Sequence, residues 1–461
     1  MEVTTPGPSF GAANFGAAQL GDRRRTRRLV KAVDAMLRQP AGTLPDKFDD
    51  PAGLKGLYRL LDGPTVTHAS VLAPARARAL ERMAATGETV LVLHDWTELD
   101  YTGRRSLHGR LGQIGNGRRR GYLCANALAV VARTRAVLGL VGQTLAVRPT
   151  VAGPETRAQR RSRADRETRL WREASRQVPP PAAGRRQVEV ADRGADVLEF
   201  LDFVESAGKN YLVRSRHDRR IELADGARAK LHDYARTPPV TGARVVAVAA
   251  TAGRPKRAAR VGVAWARVTL LVPPQPRGQT RRVPLTTWVV VVREIDPPAG
   301  VEPLDWVLLT NVPVETPADA AERISWYEVR WVIEEYHKAL KTGCGVEALQ
   351  FTAVERLQPA IAVLSVVAVA LLTLRDASRT AAAATRPARA LFAVAWVRVL
   401  SLWRYREVRP ELSVAEFFLA LARLGGHQNR RHDHPPGWLT LWRGWTKLQT
   451  MMEAASLLGV G

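Results

Sequence analysis

Sixteen consecutive residues, Trp326 to Lys341 (WYEVRWVIEEYHKALK), constrain this chain more than any other part of it. Wound at about 100° per residue, Tyr327, Arg330, Glu334 and Lys341 fall within an arc of about 60°. Trp326, Val329, Ile333, Tyr336 and Leu340 form an apolar stripe roughly a third of a turn away. One stripe can be buried while the other presents a carboxylate flanked by two cations and a phenol, and Gly343 and Gly345 supply a stop. Such spacings also serve solubility on ordinary amphipathic helices. Lysine usage argues against that reading, because two of only nine Lys, against sixty Arg, lie in this helix. Its chemical partners must come from elsewhere in the chain.

At 461 residues the expectation is about three domains with ample core. The net charge of +25 and a pI near 11 point to a polyanionic partner, nucleic acid before anionic membrane. A GC-rich genome enriches Arg and Ala, but that bias alone does not unbalance the acids this far. Two cysteines, Cys124 and Cys344, exclude a disulfide framework and a cysteine zinc site, and are expected to be reduced core thiols. The longest largely apolar run, Ala360 to Leu374, is shorter than the ~20 residues that span a bilayer and reads as a buried helix. With no apolar run at the N-terminus like that of a signal peptide, a cytoplasmic location and no membrane partner are expected.

The order Y-x2-R-x3-E-x6-K within YEVRWVIEEYHKALKTG resembles the Y-R-E-K signature of bacterial DDE transposases, specifically insertion-sequence family four, the Tn-five type. This resemblance implies two further aspartates, each ending a strand. Thr89-Val90-Leu91-Val92-Leu93-His94-Asp95 and Val188-Glu189-Val190-Ala191-Asp192 are buried-strand patterns that end in an acid. HDWTELDY and VADRGAD resemble the family's two aspartate blocks, so Asp95, Asp192 and Glu334 are the expected catalytic and metal-binding acids. Trp96 departs from the small hydroxyl residue usual there. His94 reads as a core residue ahead of a ligand. Asp196 reads as a helix-N-terminal or orienting charge, and Glu335 as an ion-pair partner of an Arg.

The fold class expected is α/β: a ribonuclease-H-like catalytic core over 86–375, interrupted at about 218–300 by a β-rich insertion. A helical region (1–85) precedes it and another (376–461) follows; the resemblance implies that the first is a DNA-end-binding domain and the second a dimerisation domain. In the first, Asp22 is a plausible N-cap for Arg23 to Arg38, Gly53 to Leu61 starts a second helix, and Thr67 or His68 opens a third. NFGAAQLGDRRRTRRLV resembles the family's DNA-binding region. Tyr122 to Ala132 and Ala136 to Val147 should complete an antiparallel meander with the first strand, and Glu155 to Val178 should be helical with Leu170 and Trp171 facing in. Arg214 and Arg216 should share a strand face, which the resemblance places near DNA. Arg118, Arg119 and Arg120 read equally as phosphate contacts or a solvated loop. Trp438, Trp442 and Trp445 read as a contact surface or an internal core.

The resemblance further implies that Tyr327, Arg330, Lys341 and Lys338 hold phosphates, and that Trp306 stacks on a flipped base rather than on the sheet. Three carboxylates suit hard divalent cations, implying two Mg²⁺ with Mn²⁺ as a substitute. The reaction implied is cut-and-paste transposition at inverted-repeat ends: hydrolytic nicking, hairpin formation and opening, then strand transfer by a homodimer in the nucleoid. A non-catalytic DNA-binding repressor derivative and a structure-specific nuclease on the same core are the other readings.

Overall fold

Apolar β-branched runs between turn residues build one large sheet, and its strand order decides which side chains can meet. The computed structural model describes residues 9–39, 42–48, 50–149, 153, 156, 159, 163, 166–248, 257–272, 283–377, 380–430, 433 and 435–457. The first helices are α1 (Phe10–Phe15), α2 (Arg23–Arg38), α3 (Pro51–Leu61) and α4 (His68–Ala85). Asp22 caps α2 by accepting from the Arg24 N–H, and Thr67 caps α4 in a reciprocal box with Ser70, as their sequence positions led us to expect. Helix α3 starts at Pro51, two residues before the expected Gly53, because Asp50 supplies the cap and Pro fits the first turn.

The strands β1 (Val90–Asp100), β2 (Gly112–Gln113), β3 (Arg120–Val131) and β4 (Val137–Ala146) follow, then helix α5 (Arg169–Arg176), strand β5 (Gln187–Ala191), helix α6 (Leu198–Ser206) and strand β6 (Asn210–Arg214). Strands β1, β3 and β4 are antiparallel neighbours, while β5 runs parallel to β1 and β6 parallel to β5. The order β4-β3-β1-β5-β6 is that expected of a ribonuclease-H-like core. Helix α5 buries Leu170 and Trp171, but much of the remainder of the helix expected from Glu155 lies outside the described residues.

Two expectations about these strands need correction. Strand β1 does not stop at Asp95; its pairing with β3 continues to Asp100, whereas β5 stops opposite His94. Asp95 therefore stands in mid-strand, at the point where one neighbour has ended. Strand β6 ends at Arg214, so Arg216 is in the following loop and shares no strand face with it. Buried Asp196 accepts from the Arg216 and His217 N–H groups and the Arg219 guanidinium; it organises that loop and caps no helix.

The inserted segment extends the sheet instead of forming a separate layer. It contributes β7 (Arg220–Glu222), β8 (Arg228–Lys230), helix α7 (Leu231–Tyr234), β9 (Gly242–Val248), β10 (Arg257–Leu270) and β11 (Leu285–Glu294). Strand β12 (Asp305–Thr310) pairs antiparallel with β6 on one side and β11 on the other, giving twelve strands in one sheet among the described residues. The signature segment forms α8 (Pro317–Val329) and α9 (Trp331–Lys338), then one π turn, Ala339–Gly343.

Helix α10 (Val354–Ala377) is longer than its apolar run suggested, starting before Pro359. Its length and composition would suit a membrane span, yet 78% of the Val354–Thr373 window is buried inside the protein against α2, α3, α4 and β4. Helices α11 (Val394–Tyr405), α12 (Val414–Leu424) and α13 (Trp438–Leu457) complete the chain. Trp442 is buried in the main core and Trp445 stacks on Trp396 at 4.5 Å, so these two fill an internal core instead of a free contact surface. The Trp438 side chain lies outside the described residues.

Behind β1, on the face opposite Asp95, a buried ion cluster sits in the sheet. His94 Nε2 lies 3.0 Å from Glu189, and Lys209 Nζ lies 2.9 Å from the same carboxylate while donating to the Ser175 carbonyl. His94 is thus a core residue. Burial pushes the Glu189 carboxyl up, but His94 and Lys209 outweigh it and hold the group below its ordinary value. Glu189→Gln keeps the shape and leaves a buried ammonium uncompensated. We expect it to cost about 3–5 kcal/mol of stability, read as a lower denaturant midpoint.

Candidate active site

Asp95 is carried by β1, Asp192 by the turn after β5, and Glu334 by α9. Because β5 ends at Ala191, the Asp192 side chain turns back to accept from the Gly194 N–H, 2.8 Å away, beside the open flank of Asp95. Helix α9 packs on β1 through buried Val332, Ile333 and Tyr336. With its apolar stripe held down, Glu334 meets Asp95: oxygens of these two residues and a ring nitrogen of His337 all lie within 4.8 Å of one another. Asp192 is outside that compact group, although its charge acts on Asp95, Arg330 and Tyr327.

Arg330 occupies the junction between α8 and α9. Its Nη1 lies 3.1 Å from Asp95 Oδ2 and 3.5 Å from Glu334 Oε1, so one guanidinium bridges both acids. Burial, then the Glu334 charge, push the Asp95 carboxyl up to about 7 against the opposing pull of Arg330, and Asp192 adds to the rise. Three acids around one guanidinium leave the site short of positive charge. Tyr327 is buried edge-to-face against Trp306, with ring centroids 5.0 Å apart, and the Arg330 guanidinium lies 6.0 Å from its ring centre. Arg214 reaches the Tyr327 hydroxyl and donates to the Asp305 carbonyl at 2.8 Å. Trp306 is half-buried, packed on Tyr327.

The remaining expected contacts are more distant in role. The π turn carries Lys341 to Glu347, 3.4 Å away, and Glu347 accepts from the Asp100 N–H. Asp100 also holds Arg119 at 2.8 Å, so the arginine loop is tied to the far end of the signature segment. Arg118 and Lys338 are exposed, and Arg120 opens β3. Gly345, with φ +63°, turns the chain after the π turn, where an added Cβ would lie 2.8 Å from the Gly42 carbonyl. There Lys47, buried, donates to the Cys344 carbonyl and fastens the N-terminal helices to the end of the catalytic segment.

Trp96, the departure from the expected pattern, points to the other sheet face and packs 4.8 Å from Trp171, clear of the acids. His337 was missed at the sequence level. Three residues after Glu334, it projects about 60° from it on a helix, between the polar and apolar stripes, which is the signal that could have found it. Burial, with Lys341 and Arg330 close by, pushes the ring down to about 3, so it is neutral.

A mixed sheet with one acid on a strand, a second just past the end of the parallel neighbour and a third on the packed helix is consistent with the class of ribonuclease-H-like nucleic-acid enzymes. Comparison with known families agrees: residues 8–66 match the family "Transposase DNA-binding" and residues 87–370 match "Transposase DDE domain". The chain belongs to the DDE transposases. It is a DNA transposase, and DNA is its partner.

The raised Asp95 value has a signed consequence. A folded-state value near 7 against 3.8 means that the native carboxyl keeps its proton where the unfolded one has lost it. Metal-free protein should therefore lose stability between about pH 4 and 7 and level off above. Asp95→Asn removes this penalty. Thermal unfolding in chelator should show the variant gaining on the wild type across that window, with a constant advantage at higher pH.

Proposed function

We propose that this transposase catalyses cut-and-paste transposition of an insertion sequence and belongs to the Y-R-E-K branch, insertion-sequence family four. Hydrolysis frees the ends of the element, a hairpin forms and opens, and the 3′-ends join target DNA. The observation that carries this reading is the convergence of Asp95 and Glu334, with Asp192 in electrostatic range, in a site short of positive charge.

The donor set fits hard divalent cations: carboxylate oxygens, partly buried, with the Asp95 carboxyl held up by burial and then by its acidic neighbours. Asp95, Asp192 and Glu334 would hold two Mg²⁺, for which Mn²⁺ can substitute. When bound, these ions supply a polarised phosphoryl centre and an activated water. The chain's own residues do the rest. Arg330, already between the two acids, places a planar cation where a phosphate oxygen pair can be gripped. Tyr327 and Arg214 hold the adjoining phosphate, and half-buried Trp306 offers an apolar face for an unstacked base. Lys341, Lys338 and the run Arg118 to Arg120 track the backbone farther out.

In this reading residues 1–85 bind the transposon end, 86–375 form the catalytic core with its insertion at about 218–300, and 376–461 support dimerisation. The protein acts in the bacterial cytoplasm, at the nucleoid.

The test uses purified protein and a labelled end with its inverted repeat. Asp95→Asn, Asp192→Asn and Glu334→Gln should each lower Mg²⁺-dependent cleavage by roughly 10²–10³-fold or more, as loss of charge stabilisation at a reacting phosphate does. Binding of the end by gel shift should persist. Cleavage at the wild-type rate by any one of the three would remove the proposal. Cleavage of branched DNA irrespective of terminal sequence would replace it with a structure-specific nuclease.

A further inference from the structure

His337 lies against the two acids, yet its hydrogen bonds give it a different task from theirs. Its Nε2 is 3.1 Å from Asn126 Nδ2. Asn126 sits on β3 directly opposite Asp95 in the antiparallel register. Its amide cannot be turned around, because the same Nδ2 lies 3.2 Å from the Cys124 carbonyl, which only accepts. Its Oδ1 in turn accepts from Gln143 Nε2 at 2.8 Å. Gln143 is oriented through Asn126: with its Nε2 donating there and to Ser365 Oγ at 2.9 Å, its Oε1 is left to accept from His68 Nε2, 2.9 Å away.

The direction of every bond in this buried chain is thereby set. Asn126 donates and His337 Nε2 accepts, so the single proton of the neutral ring is on Nδ1. The lone pair of Nε2 is used by the amide, and Nδ1 carries hydrogen. A ring in this state has no nitrogen to offer a metal ion, but it has an N–H to offer a carboxylate. The burial of the ring (6% exposed) and of Asn126 (1% exposed) keeps water from competing for either nitrogen.

We propose that His337 is a positioning residue, not a ligand: its Nδ1–H, fixed by the Gln143–Asn126 amide chain, orients the carboxylate pair of Asp95 and Glu334 toward a divalent cation. The inference rests on the metal-binding reading given above. A hydrogen bond to a ligating carboxylate fixes which oxygen faces the ion, and loss of such outer partners costs about 10–100-fold in metal affinity or activity.

Four variants of the full chain separate the possibilities. In His337→Asn the amide nitrogen can stand where Nδ1 stood; in His337→Gln the amide reaches only the Nε2 position. Asn126→Asp inverts the polarity at Nε2 in nearly the same shape, and Asp95→Asn tests the metal reading itself. The first measurement is a long-range ¹H–¹⁵N spectrum of metal-free protein labelled at histidine, with His337 assigned by its absence from the variants. We expect the Nδ1–H tautomer in the wild type and the Nε2–H tautomer in Asn126→Asp.

The second is Mn²⁺ titration by calorimetry, with melting temperature and end-DNA binding recorded for each variant. His337→Gln and Asn126→Asp should weaken Mn²⁺ binding by about 10–100-fold, while His337→Asn retains most of the affinity. A wild-type Nε2–H tautomer overturns the inference, as does equal Mn²⁺ affinity in His337→Gln and His337→Asn at matched stability. If Asp95→Asn binds Mn²⁺ as the wild type does, the metal reading has failed. If only Asp95→Asn is impaired, the metal reading stands and the role of His337 is rejected.

Discussion

A carboxylate in mid-strand, where the buried apolar run of β1 ends, is the constraint on which the rest of this structure depends. His94 before it is fully buried and the pairing of β1 with β3 runs on past it to Asp100, so Asp95 cannot escape to solvent without tearing β1 from β3. Its charge has to be tolerated where it stands. The fold provides for that in three ways: β5 stops at Ala191 and opens one flank, Arg330 approaches to 3.1 Å, and the proton is held until about pH 7. Each of these leaves the site ready for a stronger cation than a guanidinium.

The same constraint explains why the signature segment is interrupted. Helices α8 and α9 meet at Arg330, where the side chain that must reach both acids sits at a break in the helix. Beyond Lys338 the π turn swings Lys341 out to Glu347, which is bound through Asp100 to the arginine loop. Two groups of cations result. One, Arg330 and Arg214 with the Tyr327 phenol between them, lies beside the acids; the other is held by its own acidic partners a turn farther on. The two sheet faces are divided similarly, with His94, Glu189 and Lys209 closed off behind β1 and Asn126, Gln143 and His337 arranged toward the site.

Much of this was legible in the residues. Capping residues at Asp22 and Thr67, alternating apolar strands and a two-stripe helix are local signals, and local signals survive into the fold because they need only neighbouring residues. The fate of the tryptophans was not legible: Trp442 and Trp445 look the same in sequence whether they face a partner or an internal neighbour such as Trp396. Strand ends were also hidden, since β1 ends where β3 lets it end and not at its first acid.

The sequence by itself determined the chemistry available: which acids, which cations, and a helix with one face to bury and one to present. It did so because side-chain identity and helical or strand period are properties of consecutive residues. Only the tertiary structure decided that Asp95 and Glu334, far apart in the chain, come within 4.8 Å, that the insertion continues the sheet, and that a histidine between two stripes is held by an asparagine from a third element. Those outcomes depend on register and packing between segments remote in sequence, and no local pattern encodes them.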